Sequence, residues 1–156
     1  MNSTQTWTAQ SAATSSLPNT VLWMVQIFLS IIFSIAGFMM AFQPLEVLAE
    51  TLSWMPDVPS GLVRLIGIGE LLAAIGLIVP VVTGIWPQLT ALAASGLAFV
   101  MTSASIFHIM RGEFFALPMT VILTALAGFV EYERWKLTPF ELKGSWFDGE
   151  AVRQTS

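Results

Sequence analysis

The sequence predicts an all-α fold, a four-helix transmembrane bundle with a short interfacial amphipathic helix between the first and second spans. Three observations carry that expectation. Of the 156 residues, 55% are hydrophobic and only 10% charged, where a soluble domain carries about 25% charge. Mean hydropathy is +0.76. Four separate apolar stretches are each long enough for a hydrocarbon core of about 30 Å.

The first stretch covers residues 21–42 and contains no charge. At about 1.5 Å per residue it reaches roughly 33 Å as a helix. The second covers residues 62–82 and is followed by a short turn, Thr83 to Trp86. The third covers residues 87–109, with Pro87 suited to a first helical position. The fourth covers residues 114–132 and crosses with little tilt. Between the first two, Pro44 opens a segment that closes before Pro56. There Leu45, Leu48, Leu52 and Met55 fall on one helical face, with Glu46, Glu50 and Ser53 elsewhere. Such a helix lies at the membrane surface. The alternative is a loop that packs on the bundle.

Three regions follow. Residues 1–18 are rich in Ser and Thr without a charge, and that composition reads as a disordered tail. No basic start or cleavage site marks a secretory signal there, so the first span is expected to be retained. Residues 19–134 form the membrane domain, and residues 135–156 form a charged aqueous tail. After Tyr132 the charges are mixed, with Trp135 near the interface. Arg134, Lys136 and Lys143 beside the last span outnumber Arg64 and Arg111 on the other side, which favours cytoplasmic termini.

Small residues crowd two spans. Gly67, Gly69, Ala73, Ala74 and Gly76 dominate the second; Ala91, Ala94, Ser95, Ala98 and Thr102 recur along the third. In lipid, such residues let backbones approach closely, so a tight bundle is expected.

Composition also excludes chemistry. The net charge is -4, without a basic stripe, so nucleic acid is not an expected partner. There are no cysteines and one histidine, His108. Thiolate catalysis, Cys zinc sites, iron–sulfur clusters and a bis-His haem within one chain are thereby removed. No nucleotide loop, zinc motif or nucleophile elbow is present, so no catalytic residue is assigned.

Glu70 is the most informative residue. It falls well inside the second span, where a carboxylate is costly and should face the bundle interior or a water-filled cavity. It is either a proton-linked or ligand-binding group, or a structural hydrogen bonder between helices. Its neighbours on its own helix are Ile66, Gly67, Ala73 and Ala74, none with a side chain to bond it. Counting inward from one membrane face brings Ser34 on the first helix to similar depth, with Thr102 and Ser103 on the third and Thr120 to Thr124 on the fourth. At least one hydroxyl is expected within reach of Glu70, directly or through one water. Arg64, His108, Arg111 and Glu113 cluster toward the same face. With Glu70 they suggest a polar pocket opening opposite the termini; alternatively, both arginines snorkel to head groups and His108 bonds at the interface.

The run from Arg64 through Glu70 to Pro80, followed by Thr83 and Gly84, resembles the second helix of DoxX-like membrane proteins. So does the segment Ala93 to Leu97 leading to His108-x-x-Arg111-Gly112-Glu113. The similarity covers about residues 21–132. It implies a four-helix membrane protein of mostly bacterial membranes. Founding members are associated with a thiosulfate:quinone oxidoreductase. On that analogy, the chain is expected to be a non-catalytic accessory subunit of a redox complex in the inner cell membrane, touching a non-covalently bound quinone. Its partners would be the bilayer and another subunit or a second copy. The alternatives are a small proton-coupled transporter using Glu70, or a purely structural membrane protein. Small multidrug transporters also have four helices and one membrane Glu, but they are shorter and carry it in the first helix.

Overall fold

In the computed structural model, which describes residues 16–137, the apolar stretches form four long helices. They are α1 (Ser16–Phe42), α3 (Ser60–Thr83), α4 (Gln88–Arg111) and α5 (Leu117–Leu137). A short helix, α2 (Leu45–Thr51), and a 3₁₀ turn, Met55–Asp57, join α1 to α3; another 3₁₀ turn, Phe114–Ala116, precedes α5. All four long segments have the length and hydropathy to cross a bilayer. The tails expected over residues 1–18 and 135–156 lie mostly outside the described residues, although α1 already starts at Ser16 and α5 runs to Leu137.

Helix ends follow local chemistry. Pro44, Pro59 and Pro87 precede α2, α3 and α4, where a missing N–H costs nothing. Gly84 and Gly112 end α3 and α4 with φ of 69° and 73°, the left-handed conformation that glycine adopts without a Cβ penalty.

The helices run up and down in chain order. The most extensive packing joins α1 to α3 and α4 to α5, with α3 on α4 and α5 on α1 closing the ring. Buried positions on α3 are Val63, Gly67, Glu70, Ala74, Leu77 and Pro80. On α1 they are Leu22, Gln26, Leu29, Phe33, Gly37 and Met40. This three-and-four spacing makes a seam like that of a coiled coil. Large apolar side chains such as Ile31, Leu65, Leu72, Leu92 and Phe99 point outward and are exposed, the pattern lipid requires.

The seam is tightest where two glycines meet. A Cβ on Gly37 would lie 2.7 Å from the Gly67 carbonyl oxygen, and one on Gly67 would lie 2.7 Å from the Ala41 nitrogen. Both obstacles are backbone and cannot rotate away. Polar side chains of α1 also bond α3 directly: Ser30 Oγ donates to the Ala74 carbonyl at 2.9 Å and Gln26 Nε2 to the Leu77 carbonyl at 2.6 Å.

A connector helix forms between the first two spans but is shorter than expected: α2 ends at Thr51, Leu52 is extended and Met55 belongs to the following 3₁₀ turn. The apolar face of α2, centred on Leu48, packs with Met55 against Met40 and Val63, so it covers the α1–α3 end of the bundle. One boundary differs more. The fourth apolar stretch closes at residue 132, and Arg134 is expected as a charge at the very end of the membrane domain, beside the last span. In the structure Arg134 is 6% exposed. It continues the buried series Thr120, Leu123, Ala127 and Val130. Its Nε donates to Gln26 Oε1 at 3.0 Å, a second guanidinium nitrogen bonds the same oxygen, and Trp23 lies under the charge. The helix continues because that amide gives the guanidinium an acceptor inside the bundle. Gln26 thereby ties α5 to α3 through α1.

A branched side chain at Gly67 must push α1 and α3 apart. Gly67→Val is expected to cost about 1–3 kcal/mol, the usual range for overpacking. Gly69→Val meets open space and is expected to be nearly neutral. Thermal unfolding of both variants in mild detergent checks this; equal losses would contradict the contact.

Candidate functional site

Glu70 reaches the interior because it continues the α3 seam three residues after Gly67. It is 3% exposed. Its Oε2 atom is buried and has no hydrogen-bond partner among the described residues. A buried acceptor left without a donor carries a desolvation penalty; among the described residues this carboxyl and the Thr90 hydroxyl of α4 are the buried side-chain groups whose bonding is incomplete.

Four of the hydroxyls expected beside it are engaged elsewhere. Thr102 donates to the Ala98 carbonyl at 2.7 Å, Ser103 to the Phe99 carbonyl at 2.9 Å, and Thr124 to the Thr120 carbonyl at 2.8 Å. Thr120 donates to the Leu117 carbonyl and accepts from Ser105. Ser34 is half-buried on α1. The expected direct bond from one of these hydroxyls to Glu70 is not formed. The physical reason is local competition: Ser and Thr in a helix readily bond the carbonyl one turn back.

The charged residues also separate. Arg64 donates through Nη1 to the Met40 carbonyl at 2.9 Å, at the exit of α1. It therefore finishes a helix end and does not fold toward Glu70. His108 and Arg111 gather instead around Glu113. His108 Nδ1 and Glu113 Oε2 are 2.7 Å apart, and with an ionised carboxylate the imidazole N–H is the donor. Arg111 Nε donates to Glu113 Oε1 at 3.1 Å. Ser53 Oγ donates to the same oxygen at 3.0 Å, and Arg111 reaches back to the Ser53 carbonyl at 3.2 Å and pairs with Asp57. The Trp54 ring meets Phe107 edge-on at 6.4 Å. This polar cluster latches the α1–α3 connector to the α4–α5 corner. Sequence reasoning flagged His108, Arg111 and Glu113 but missed Ser53 and Asp57. The flanking Pro56 and the nearby aromatic Trp54 were the available signals for a structured connector.

The Glu113 carboxyl is held below the usual carboxylate range. The His108 hydrogen bond is the largest cause, with Ser53 and Arg111 adding to it against an opposing desolvation.

Glu70 faces another feature. A groove of about 580 Å³ runs between α3 and α4, lined by Glu70, Ala73, Gly76, Leu89, Ala93 and Gly96 among others. Its size lies within the range of small-molecule sites, roughly 300–1,000 Å³. Glu70 is the sole ionisable residue of its lining. Because α3 and α4 are antiparallel around the turn at Gly84, Pro80 and Leu89 mark one end of the groove and Glu70 and Val100 the other.

The fold defines a multi-pass membrane protein built as a four-helix bundle. The chain belongs to the DoxX-like family, whose model matches residues 24–130. Comparison with curated proteins and with solved structures gives no significant match.

A carboxyl whose folded value is depressed contributes stability that is present above its unfolded value and lost as pH falls through its folded value. The Glu113 latch is therefore expected to loosen on acidification below about 4.5, the ordinary carboxylate value. Hydrogen exchange of residues 52–58, corrected for intrinsic rates, reads it. Exchange should rise on acidification in the wild type, and in Glu113→Gln it should already be raised at neutral pH. Identical profiles for the two proteins would refute the latch.

Proposed function

We propose that the chain is a non-catalytic accessory subunit of a quinone-linked redox complex in the inner cell membrane. One observation carries the reading: the Glu70 carboxyl is buried at mid-span with Oε2 unpartnered by the described residues, at the inner end of an apolar groove. A polar group held there at such cost is matched to something the chain does not itself supply. A quinone fits on simple grounds. Its carbonyl accepts a hydrogen bond from a carboxylic acid, and its reduced hydroxyl donates one to a carboxylate. Bound, it would supply two-electron redox chemistry. The chain has no cysteine and one histidine, so metal electron carriers belong to another subunit. The family supports this reading by analogy.

A proton-coupled transporter is the second reading, favoured by the same carboxyl as the sole ionisable group in the groove lining. Orientation follows from charge. Arg134, Lys136 and Lys143 follow the last span on the termini side, against Arg64 and Arg111 opposite, which supports cytoplasmic termini.

Purification from native membranes in mild detergent is the test. An oxidoreductase subunit and solvent-extractable quinone are expected to co-purify. Recovery of the protein alone, with proton-driven solute uptake in liposomes that Glu70→Gln abolishes, would replace this reading by the transporter. A reporter active only in the cytoplasm, fused at Ser156, is expected to be active. An expressed but inactive fusion would reverse the orientation.

A further inference from the structure

The bundle is packed unequally along its length. At the termini end one core joins all four helices, with Leu29 of α1, Leu77 of α3, Ala94 and Leu97 of α4 and Ala127 of α5 among its members. Toward the connector end the buried positions of α4 stop at Leu97. Met101, Ala104, Ser105 and His108 continue the same face at three-and-four spacing but are only half-buried. The second core, Met40, Leu48, Met55 and Val63, takes in α1, α3 and their connector and no residue of α4 or α5. The contact between α3 and α4 loosens in the same direction. A Cβ on Gly76 would lie 2.9 Å from that of Ala93, whereas one on Gly69 or Gly96, both nearer the connector, meets nothing within 4 Å.

The helices therefore form two pairs, α1 with α3 and α4 with α5, cemented by apolar packing at the termini end. At the connector end, among the described residues, a polar cluster joins them. Ser53 donates to Glu113 and Asp57 pairs with Arg111, while Trp54 meets Phe107 edge-on. Partly exposed ion pairs hold far less strongly than a buried apolar core, so the connector end is the end that can part.

Glu70 sits where the shared core gives way, one turn beyond Ala74. It lines the α3–α4 groove, yet its Oε2 is shut away. The seam to α1 offers no entry, because Gly37 and Gly67 bring two backbones together there. Reaching the carboxyl requires α3 and α4 to separate.

We propose that the α4–α5 pair swings away from the α1–α3 pair about the termini-side core, with the cluster of Ser53, Asp57, Arg111 and Glu113 as its catch, and that this swing opens a water path to Glu70 from the face opposite the termini. Hinged movement of two packed bodies about a shared contact is an established form of switching. The structure is the closed state. The gate goes beyond both readings of Glu70: it sets the side and the control of access, whether the carboxyl serves a bound molecule or a carried proton.

Carbodiimide labelling of Glu70, read by mass spectrometry on the full chain in lipid nanodiscs, tests the gate. A water-soluble carbodiimide reports the path from water, and dicyclohexylcarbodiimide the path from lipid. Labelling tracks the population of the open state. Glu113→Ala is expected to speed labelling from water at least about tenfold, the effect of about 1.4 kcal/mol, and labelling from lipid much less. Asp57→Asn, at the exposed rim of the cluster, should act in the same direction and more weakly. An unchanged rate from water in Glu113→Ala would overturn the gate. Hydrogen exchange separates opening from unfolding. In Glu113→Ala, exchange should rise over residues 98–108 and stay at the wild-type rate over residues 22–33; equal acceleration of both stretches would overturn the hinge. In the wild type, residues 98–108 should already exchange faster than residues 88–97, and the reverse order would overturn the proposal without any variant.

Discussion

The contact between Gly37 and Gly67 sets the geometry on which the rest depends. With a would-be Cβ at either position only 2.7 Å from the opposing backbone, α1 and α3 meet backbone to backbone, with no room for a side chain between them. In lipid, where no hydrophobic driving force separates protein from solvent, such close packing supplies much of the association energy. The register it fixes sends the next seam position, Glu70, inward. The same register brings Ser30 and Gln26 of α1 under the Ala74 and Leu77 carbonyls of α3. Pro80, which has no N–H to give the carbonyl of Gly76, sits just beyond these bonds on the same face.

The two ends of the bundle are closed by polar networks, and its middle is held by packing. On the termini side, Gln26 accepts from Arg134 and donates to α3. On the other side, Glu113 collects His108, Arg111 and Ser53. Interhelical hydrogen bonds in membranes contribute roughly 0.6–2 kcal/mol each, so these networks fix the ends modestly but directionally. Between them α3 meets α4 through small side chains. A Cβ on Gly76 would come 2.9 Å from that of Ala93, while Gly69 and Gly96 leave open space. The groove is what remains when two helices touch at a few small residues and the large ones turn outward to lipid.

The spans were legible because hydrophobic length and Gly or Pro punctuation act locally. Pro59, Gly84, Pro87 and Gly112 mark helix ends within a residue or two of where they were expected. The connector helix was legible from the spacing of Leu45, Leu48 and Leu52. The burial of Glu70 was legible from its depth alone. Its bonding was not, because each hydroxyl at similar depth has a competing carbonyl one turn back on its own helix, and sequence does not say which wins. The Gln26–Arg134 bond was illegible for another reason. It joins residues 108 positions apart, and a charge near the end of an apolar stretch reads by default as the place where the membrane domain stops. Arg64 and Arg111 were correctly grouped by face, yet one finishes α1 and the other holds the connector, a division that only the packing of α2 decides.

On the proposed reading, the Glu70 carboxyl takes its hydrogen-bond partner from the bilayer. Infrared difference spectroscopy on the protein in nanodiscs measures this directly, with the Glu70 carboxyl band identified by its loss in Glu70→Gln. Adding decyl-substituted benzoquinone is expected to shift that band, because the carboxyl acquires a partner. A Glu70 band unmoved by saturating quinone would contradict the account.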